Sequence, residues 1–214
     1  MKSILVIGMG RFGYHLARKL TELGNEVMVV DSDADRINEI APLFADAQIA
    51  DCTRAAALRS FGLDGFDICY VAIGDDLATC LEITYQLKAL GAKRIIAKIG
   101  SEHHEKFLLQ AGADEVVYPE KEMAVKIAVR HDAKNIFDYI ELNDKYAVYE
   151  VPVPPAWVGK SITALNVRRR YKVNVLAVTI EDELIPMPGP DHVFQAGERI
   201  TVLGEADDMS RLTR

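Results

Sequence analysis

Short, nearly continuous apolar runs alternate with longer segments of helical periodicity over roughly the first 118 residues. Runs of this kind predict strands that are covered on both faces, and the helical segments supply the crossovers that parallel strands require. The predicted strands are Ser3–Ile7, Glu26–Val30, Ala47–Ala50, Ile68–Ile73, Arg94–Lys98 and Glu115–Tyr118. The clearest helical patterns are Phe12–Leu23, Leu77–Leu90 and His103–Gln110. The pattern predicts an α/β fold with a doubly wound parallel sheet.

The pattern changes after Pro119. Four apolar residues between Met123 and Ala128 form a narrow face on a predicted helix, Glu120–Arg130. This face indicates either a helix of the core or a helix that packs on a neighbouring subunit. We expect another short helix over Asn135–Ile140 and a polar linker over Glu141–Lys145.

The last 70 or so residues predict a smaller α+β domain of short strands with a helical segment between them. The predicted strands are Tyr146–Val153, Val173–Thr179, Leu184–Met187 and Arg199–Leu203. We therefore expect two domains, residues 1–140 and residues 141–214.

A glycine motif follows the first predicted strand and opens the first predicted helix. The segment Gly8-Met9-Gly10-Arg11-Phe12-Gly13 matches GxGxxG, and Asp31 ends the next strand eighteen residues beyond Gly13. In the Rossmann-like fold the glycines permit a tight turn, close approach of the backbone to a pyrophosphate and close packing of helix on strand. The helix N-terminus then faces the phosphates with unpaired N–H groups. This arrangement predicts a nucleotide site.

Other residues at the carboxyl ends of strands complete the predicted site. Asp31 would accept hydrogen bonds from ribose hydroxyls and repel a 2′-phosphate, which favours NAD or an adenine nucleotide over NADP. Arg11 indicates either a cation for terminal phosphates, including those held by a neighbouring subunit, or a solvated side chain. Asp51 is either an adenosine contact or a helix N-cap. We also include Ser32, Cys52, Ile73 and Gly74 in the candidate site.

Charge and composition narrow the possible functions. The formal net charge of −7 argues against binding to nucleic acid or to anionic lipid. The three cysteines have no metal-type spacing and favour a reducing cytoplasm. We also expect no membrane-spanning segment, because no run reaches about 18 apolar residues.

Nothing beyond the nucleotide motif forms a catalytic constellation, which argues against an enzyme. The one strongly basic cluster, Arg168-Arg169-Arg170, indicates either a site for a phosphate-bearing ligand or an exposed face of salt bridges.

A set of motifs together resembles the KtrA/TrkA family of potassium-uptake regulators, over essentially the whole chain. These motifs are Val-Ile-Gly-Met-Gly-Arg-Phe-Gly, Val-Val-Asp, Ala-Asp-Cys-Thr, Val-Ala-Ile-Gly, Ile-Gly-Ser-Glu-His-His-Glu-Lys and Gly-Ala-Asp-Glu-Val-Val-Tyr-Pro-Glu. The resemblance implies an N-terminal RCK domain with a crossover helix and a C-terminal RCK (TrkA-C) domain. It also implies a cytoplasmic octameric ring that gates a membrane-embedded Trk- or Ktr-type potassium channel subunit.

The resemblance further assigns ligands to particular positions. It implies that ATP, ADP or NAD(H) binds at the glycine loop, Asp31, Asp51, Ile73 and Gly74. Lys98 would add a cation near the nucleotide, and Glu120 would reach the site between neighbouring subunits and hold Mg²⁺ or Ca²⁺ with the nucleotide.

The resemblance implies a second ligand, cyclic di-AMP, in the C-terminal domain. Arg168 and Asn174 match its polar positions, and Val175, Ala177 and Pro188 would form an apolar wall. Two alternatives remain: a regulator of another cation channel or antiporter, and an NAD-dependent oxidoreductase.

Overall fold

The computed structural model describes residues 1–74, 76–132, 137–143, 145–205 and 208. The chain divides into two compact units, Met1–Lys121 and Glu122–Arg214. The boundary expected between residues 140 and 141 stays a prediction.

In the first unit, the described residues form a six-stranded parallel sheet in the order β3-β2-β1-β4-β5-β6. This is the strand order of a doubly wound nucleotide-binding fold, so the predicted fold class is confirmed. The strands are β1 Ser3–Ile7, β2 Glu26–Asp31, β3 Asp46–Ile49, β4 Ile68–Val71, β5 Ile95–Lys98 and β6 Glu115–Val117. The helices are α1 Arg11–Glu22, α2 Ala34–Ile40, α3 Ala55–Ser60, α4 Leu77–Ala89 and α5 Glu105–Ala111, and α6 Pro119–Asp132 begins in this unit and continues into the second. Short 3-10 helices span Ala41–Leu43, Leu63–Gly65 and Glu102–His104.

The alternation of side chains along β1 divides the core of this unit into two layers. Ile4 and Val6 are buried in one hydrophobic cluster, and Leu5 and Ile7 are buried in the other. A strand with apolar residues on both faces needs cover on both faces, and α1 and α2 cover one while α4 and α5 cover the other. Because the helices lie on the two faces of the sheet, the carboxyl ends of the strands remain available for polar side chains.

The apolar face of α6 is exposed in this chain. Of the residues of this face, Met123 and Ile127 are 55% and 50% exposed, and Ala124 and Ala128 are exposed as well. The interpretation of this helix as part of the core is therefore wrong, and the interpretation as a surface for a neighbouring subunit stays a prediction.

The second unit is built on an antiparallel sheet. Its described strands have the order β10-β9-β11-β8-β7. The elements are β7 Asp138–Glu141, β8 Tyr146–Pro152, α7 Ile162–Leu165, α8 Val167–Tyr171, β9 Asn174–Ile180, β10 Glu183–Pro186 and β11 Arg199–Glu205, with a 3-10 helix at Pro155–Trp157. Trp157, Phe194, Ile200 and Val202 are fully buried and form its core. The predicted smaller α+β domain is confirmed.

Two predictions at the start of this unit are wrong. Residues 138–140 of the predicted helix Asn135–Ile140 lie in β7, where Tyr139 pairs with Tyr149 and Ile140 with Val148, while residues 133–136 lie outside the described residues. In the described part of the predicted linker Glu141–Lys145, Glu141 ends β7 and Leu142 N donates to Tyr146 O at 3.0 Å, so this segment joins the two strands of a hairpin. Pairing with β8 decides both features, and local sequence does not contain that information.

Candidate functional site: a nucleotide cleft and a second cavity

A cleft opens at the carboxyl ends of β1 and β4, where the order of the strands reverses. Its volume is about 350 Å³. Open α/β sheets bind their ligands at this point. Eight of the predicted site residues line it: Gly8, Gly10, Asp31, Ser32, Asp51, Cys52, Ile73 and Gly74. The other predicted residues, Met9, Arg11, Phe12, Gly13, Lys98 and Glu120, lie around it and are not part of its lining.

The glycine loop packs too tightly for side chains at two of its three glycines. Gly8 has a φ of +96°, and a Cβ there would lie 2.8 Å from Ile73 Cγ1. A Cβ on Gly13 would lie 1.9 Å from Gly8 O, because α1 packs directly on the turn after β1. Gly10 differs, since none of the described atoms lies within 4 Å of the position of its Cβ. The space beside Gly10, at the N-terminus of the twelve-residue helix α1, can therefore hold a ligand close to the backbone.

Asp31 is a buried carboxylate, 8% exposed, that ties β2 to the glycine loop. Its Oδ2 accepts from Met9 N at 2.6 Å, and its Oδ1 accepts from Asp33 N at 2.9 Å. Burial raises the pKa of Asp31, but hydrogen bonds from Asp33 N, Met9 N and Arg36 outweigh it and leave the pKa below its ordinary value. Asp31 is therefore ionised at neutral pH and ready to accept hydrogen bonds from ribose hydroxyls.

Arg36 is a residue of the cleft that the sequence analysis missed. Its Nη1 donates to Asp31 Oδ2 at 2.9 Å, and its Nη2 lies 3.4 Å from Asp33 Oδ2. The spacing contained a signal, because Arg36 lies in the first turn of the helix that follows Asp31. The further polar residues of the lining that were not predicted are Thr53, Asp76 and Thr79.

Asp51 organises the loop after β3. Its Oδ1 accepts from Thr53 N at 3.1 Å and from Thr53 Oγ1 at 2.6 Å, and Arg54 Nε lies 3.3 Å from Oδ2. The hydrogen bonds from Thr53 lower its pKa. The helix N-cap alternative for Asp51 is wrong, because Arg54 is the N-cap residue of α3.

Cys52 lies beside Asp51 at the wall of the cleft. It is buried, and burial together with the charges of Asp51 and Asp31 raises the pKa of its thiol to about 12. A thiol in this state is a packing group and not a nucleophile.

Lys98, at the end of β5, carries its ammonium to the side of the glycine loop. Its Nζ lies 2.7 Å from Glu120 Oε1 in the first turn of α6, and 5.9 Å from the centre of the Phe12 ring. The hydrogen bond from Lys98 is the largest cause that lowers the pKa of Glu120, and the charge of Arg11 acts in the same direction. The structure thus brings Lys98, Glu120 and the start of α1 together. Among the described residues, no group of three or more His, Cys, Asp and Glu side chains is arranged to hold a metal.

A second cavity, of about 230 Å³, lies in the second unit. Arg168 and Asn174 line it, and Arg168 Nε donates to Asn174 Oδ1 at 2.9 Å. Val175, Ala177 and Pro188 are not part of its lining. Val175 packs against the hydrophobic core of the second unit. The expected role of all five residues in holding cyclic di-AMP stays a prediction, because the resemblance places that ligand between two copies of the domain.

Within the described ranges, none of the helices combines the length and the apolar character that crossing a membrane requires.

Each of the two units matches a domain family of known proteins. Residues 4–119 match the TrkA-N domain, and residues 146–214 match the TrkA-C domain. The Ktr system potassium uptake protein C of Bacillus subtilis is 35% identical over 213 residues, which are 100% of this chain and 96% of the relative. The Ktr system potassium uptake protein A of the same organism is 33% identical over 98% of this chain and 95% of the relative.

The solved structure of the GsuK channel superposes with a TM-score of 0.71 at 19% identity, over 98% of this chain and 38% of that one. The GsuK channel has also been solved with NAD and with ADP. At this identity the likeness shows the fold, and the relatives named above are potassium uptake proteins. The chain therefore belongs to the family that joins a TrkA-N to a TrkA-C domain, the KtrA/TrkA family of potassium-uptake regulators.

Proposed function

We propose that this protein is a nucleotide-sensing regulatory subunit of a Trk- or Ktr-type potassium transport system, and not an enzyme. The observation that carries the proposal is the cleft between β1 and β4, with a glycine loop on one side and the ionised Asp31 on the other. Open backbone at Gly10 suits phosphates, and a buried carboxylate at the end of β2 suits ribose hydroxyls. ATP, ADP or NAD(H) is the expected ligand class.

The regulatory step follows from differential binding. A nucleotide shifts the conformation of an assembly only as far as it binds one state better than the other, and about 1.4 kcal/mol of preference gives a tenfold shift. We expect a cytoplasmic homo-oligomer, an octameric ring, that contacts a membrane-embedded potassium channel subunit. The exposed apolar face of α6 supports association between copies of the chain.

The first experiment is a calorimetric titration of the purified protein with ATP, ADP and NADH, coupled to light-scattering mass. Arg11→Ala is the test variant, because Arg11 is exposed next to the glycine loop. Arg59→Ala, at the far end of α3, is its control. We expect ADP and ATP to bind an oligomer and Arg11→Ala to weaken ATP selectively. Binding of NADH alone, to a monomer, would contradict the proposal.

Glu120 is the residue we propose to hold a divalent cation with the nucleotide. It is 58% exposed and lies 2.7 Å from Lys98, and carboxylate with phosphate oxygens is a ligand set that suits Mg²⁺ or Ca²⁺. Its test is a titration of ATP with and without Mg²⁺ on Glu120→Gln. Mg²⁺ should strengthen ATP binding to the parent protein more than to the variant.

The second cavity is the site we propose for cyclic di-AMP. The support is the pairing of Arg168 with Asn174 at its edge, since a guanidinium is a preferred partner of phosphate. Arg168→Ala should abolish binding in calorimetry, while Arg169→Ala on the same helix should leave it unchanged. Equal affinity of both variants would count against this ligand site.

A further inference from the structure

Lys98 occupies a crowded position between the cleft and α6. Its side chain is 11% exposed. A Cβ on Gly74 would lie 2.7 Å from Lys98 Nζ, 2.9 Å from Cε and 3.0 Å from Cδ, so the end of the lysine lies directly on the Gly74 backbone. Gly74 itself lines the cleft. The ammonium group therefore lies against a residue that lines the space a nucleotide would occupy.

The charge of Lys98 is already paired in this state. Its Nζ lies 2.7 Å from Glu120 Oε1, which is a short, charge-assisted contact. The pKa of Glu120 is lowered, chiefly by this hydrogen bond, so Glu120 is ionised at neutral pH. A phosphate that approaches the glycine loop would meet a lysine whose charge is neutralised and a carboxylate of the same sign as its own.

We propose that Glu120 competes with the phosphates of a bound nucleotide for Lys98, and so sets the affinity of the empty site. This inference rests on the proposed binding of a nucleotide in the cleft. In the empty site Lys98 pairs with Glu120. When phosphates bind beside Gly8 and Gly10, the ammonium turns its donors toward them and the bond to Glu120 weakens.

The competition couples nucleotide binding in the cleft to the position of α6. Glu120 is the second residue of that helix, after Pro119. Since linkage is reciprocal, any state of α6 that pulls Glu120 away from Lys98 also strengthens nucleotide binding. Glu120 is thus a positioning residue that acts on the affinity through Lys98, apart from any cation it holds.

The test is a double-mutant cycle on ADP affinity, measured by calorimetry on the full chain in EDTA so that no divalent cation contributes. Glu120→Gln should tighten ADP binding about three- to tenfold, since the Glu120 end of the pair is 58% exposed and solvent partly screens its charge. Lys98→Met should weaken ADP binding. In the Lys98→Met background, Glu120→Gln should change the affinity less than twofold, because no ammonium remains to compete for.

The neighbouring pair of Lys121 and Glu102 provides the matched control. It joins α6 to the 3-10 helix that follows β5, and it is exposed at both ends. Glu102→Gln should leave ADP affinity unchanged. Lys98→Gln, checked by thermal unfolding, replaces Lys98→Met if the latter does not fold.

The possible results distinguish a failure of the proposed function from a failure of this inference. Failure of the parent protein to bind ADP, ATP or NADH would overturn the proposed function and this inference with it. ADP binding that Glu120→Gln leaves unchanged or weakens would overturn the inference alone. An equal gain from Glu120→Gln in both backgrounds would also overturn it, because direct repulsion and not competition would then be the cause.

Discussion

Replacing Gly13 with alanine separates the structural part of the glycine motif from its ligand-binding part. A Cβ at this position would lie 1.9 Å from Gly8 O and 3.2 Å from Ala72 Cβ, whereas real Cβ atoms keep at least 3.0 Å. The helix α1 must therefore move more than 1 Å away from β1, since the obstacle is backbone. Overpacking of this kind costs about 3 kcal/mol. Alanine regains about 1 kcal/mol as the better helix former.

The expected net loss is about 2 kcal/mol, or roughly 4–8 °C in melting temperature for a chain of this size. Thermal unfolding followed by circular dichroism measures it. Gly65→Ala is the control, because no described atom lies within 4 Å of its Cβ position. The Cβ position of Gly10 is equally unobstructed, so Gly10→Ala should have the same melting temperature as the control. The added methyl group would nevertheless occupy the space beside the backbone and should weaken ADP binding about tenfold. A Gly13→Ala protein that melts within one degree of Gly65→Ala would refute the steric argument.

Three further predictions concern the cleft and the core. Asp31→Asn should lower the stability to urea at pH 7. The pKa of Asp31 is lower in the folded protein than its ordinary value of 3.8, so the charged carboxylate stabilises the fold above that value and loses its effect as the pH falls through the folded pKa. The difference in stability between the parent protein and the variant should therefore shrink below about pH 4. Asp76→Ala removes the N-cap that accepts from Ala78 N and Thr79 N and should cost about 1 kcal/mol in the same assay. Burial raises the thiol pKa of Cys52 and Cys69 to about 12 and that of Cys80 to about 11. A thiol reagent at pH 8 should therefore label fewer than one cysteine per native chain and all three after denaturation. Rapid labelling of the native protein would contradict this prediction.

Much of the first unit was predictable because its signals are local. An apolar run of five residues such as Ser3–Ile7 is covered on both faces, which points to a parallel sheet. The motif that begins at Gly8 and the acidic residue at Asp31 lie at the ends of neighbouring strands. The carboxyl ends of parallel strands meet at one edge, so the position of the cleft followed from the order of the elements.

The features that escaped prediction depend on distant pairing. Ile140 belongs to a strand because β8 lies beside it, and the same letters alone favoured a helix. Arg36 reaches Asp31 through the orientation of α2 on the sheet, which spacing suggests but does not determine.

The contact of Lys98 with Gly74 links two positions that are 24 residues apart. A Cβ at position 74 would lie within 3.0 Å of the lysine Nζ, Cε and Cδ, so the flexible end of Lys98 would have to move. Substitution of Gly74 by alanine alone would therefore shift the charge beside the glycine loop and leave the backbone of β5 in place.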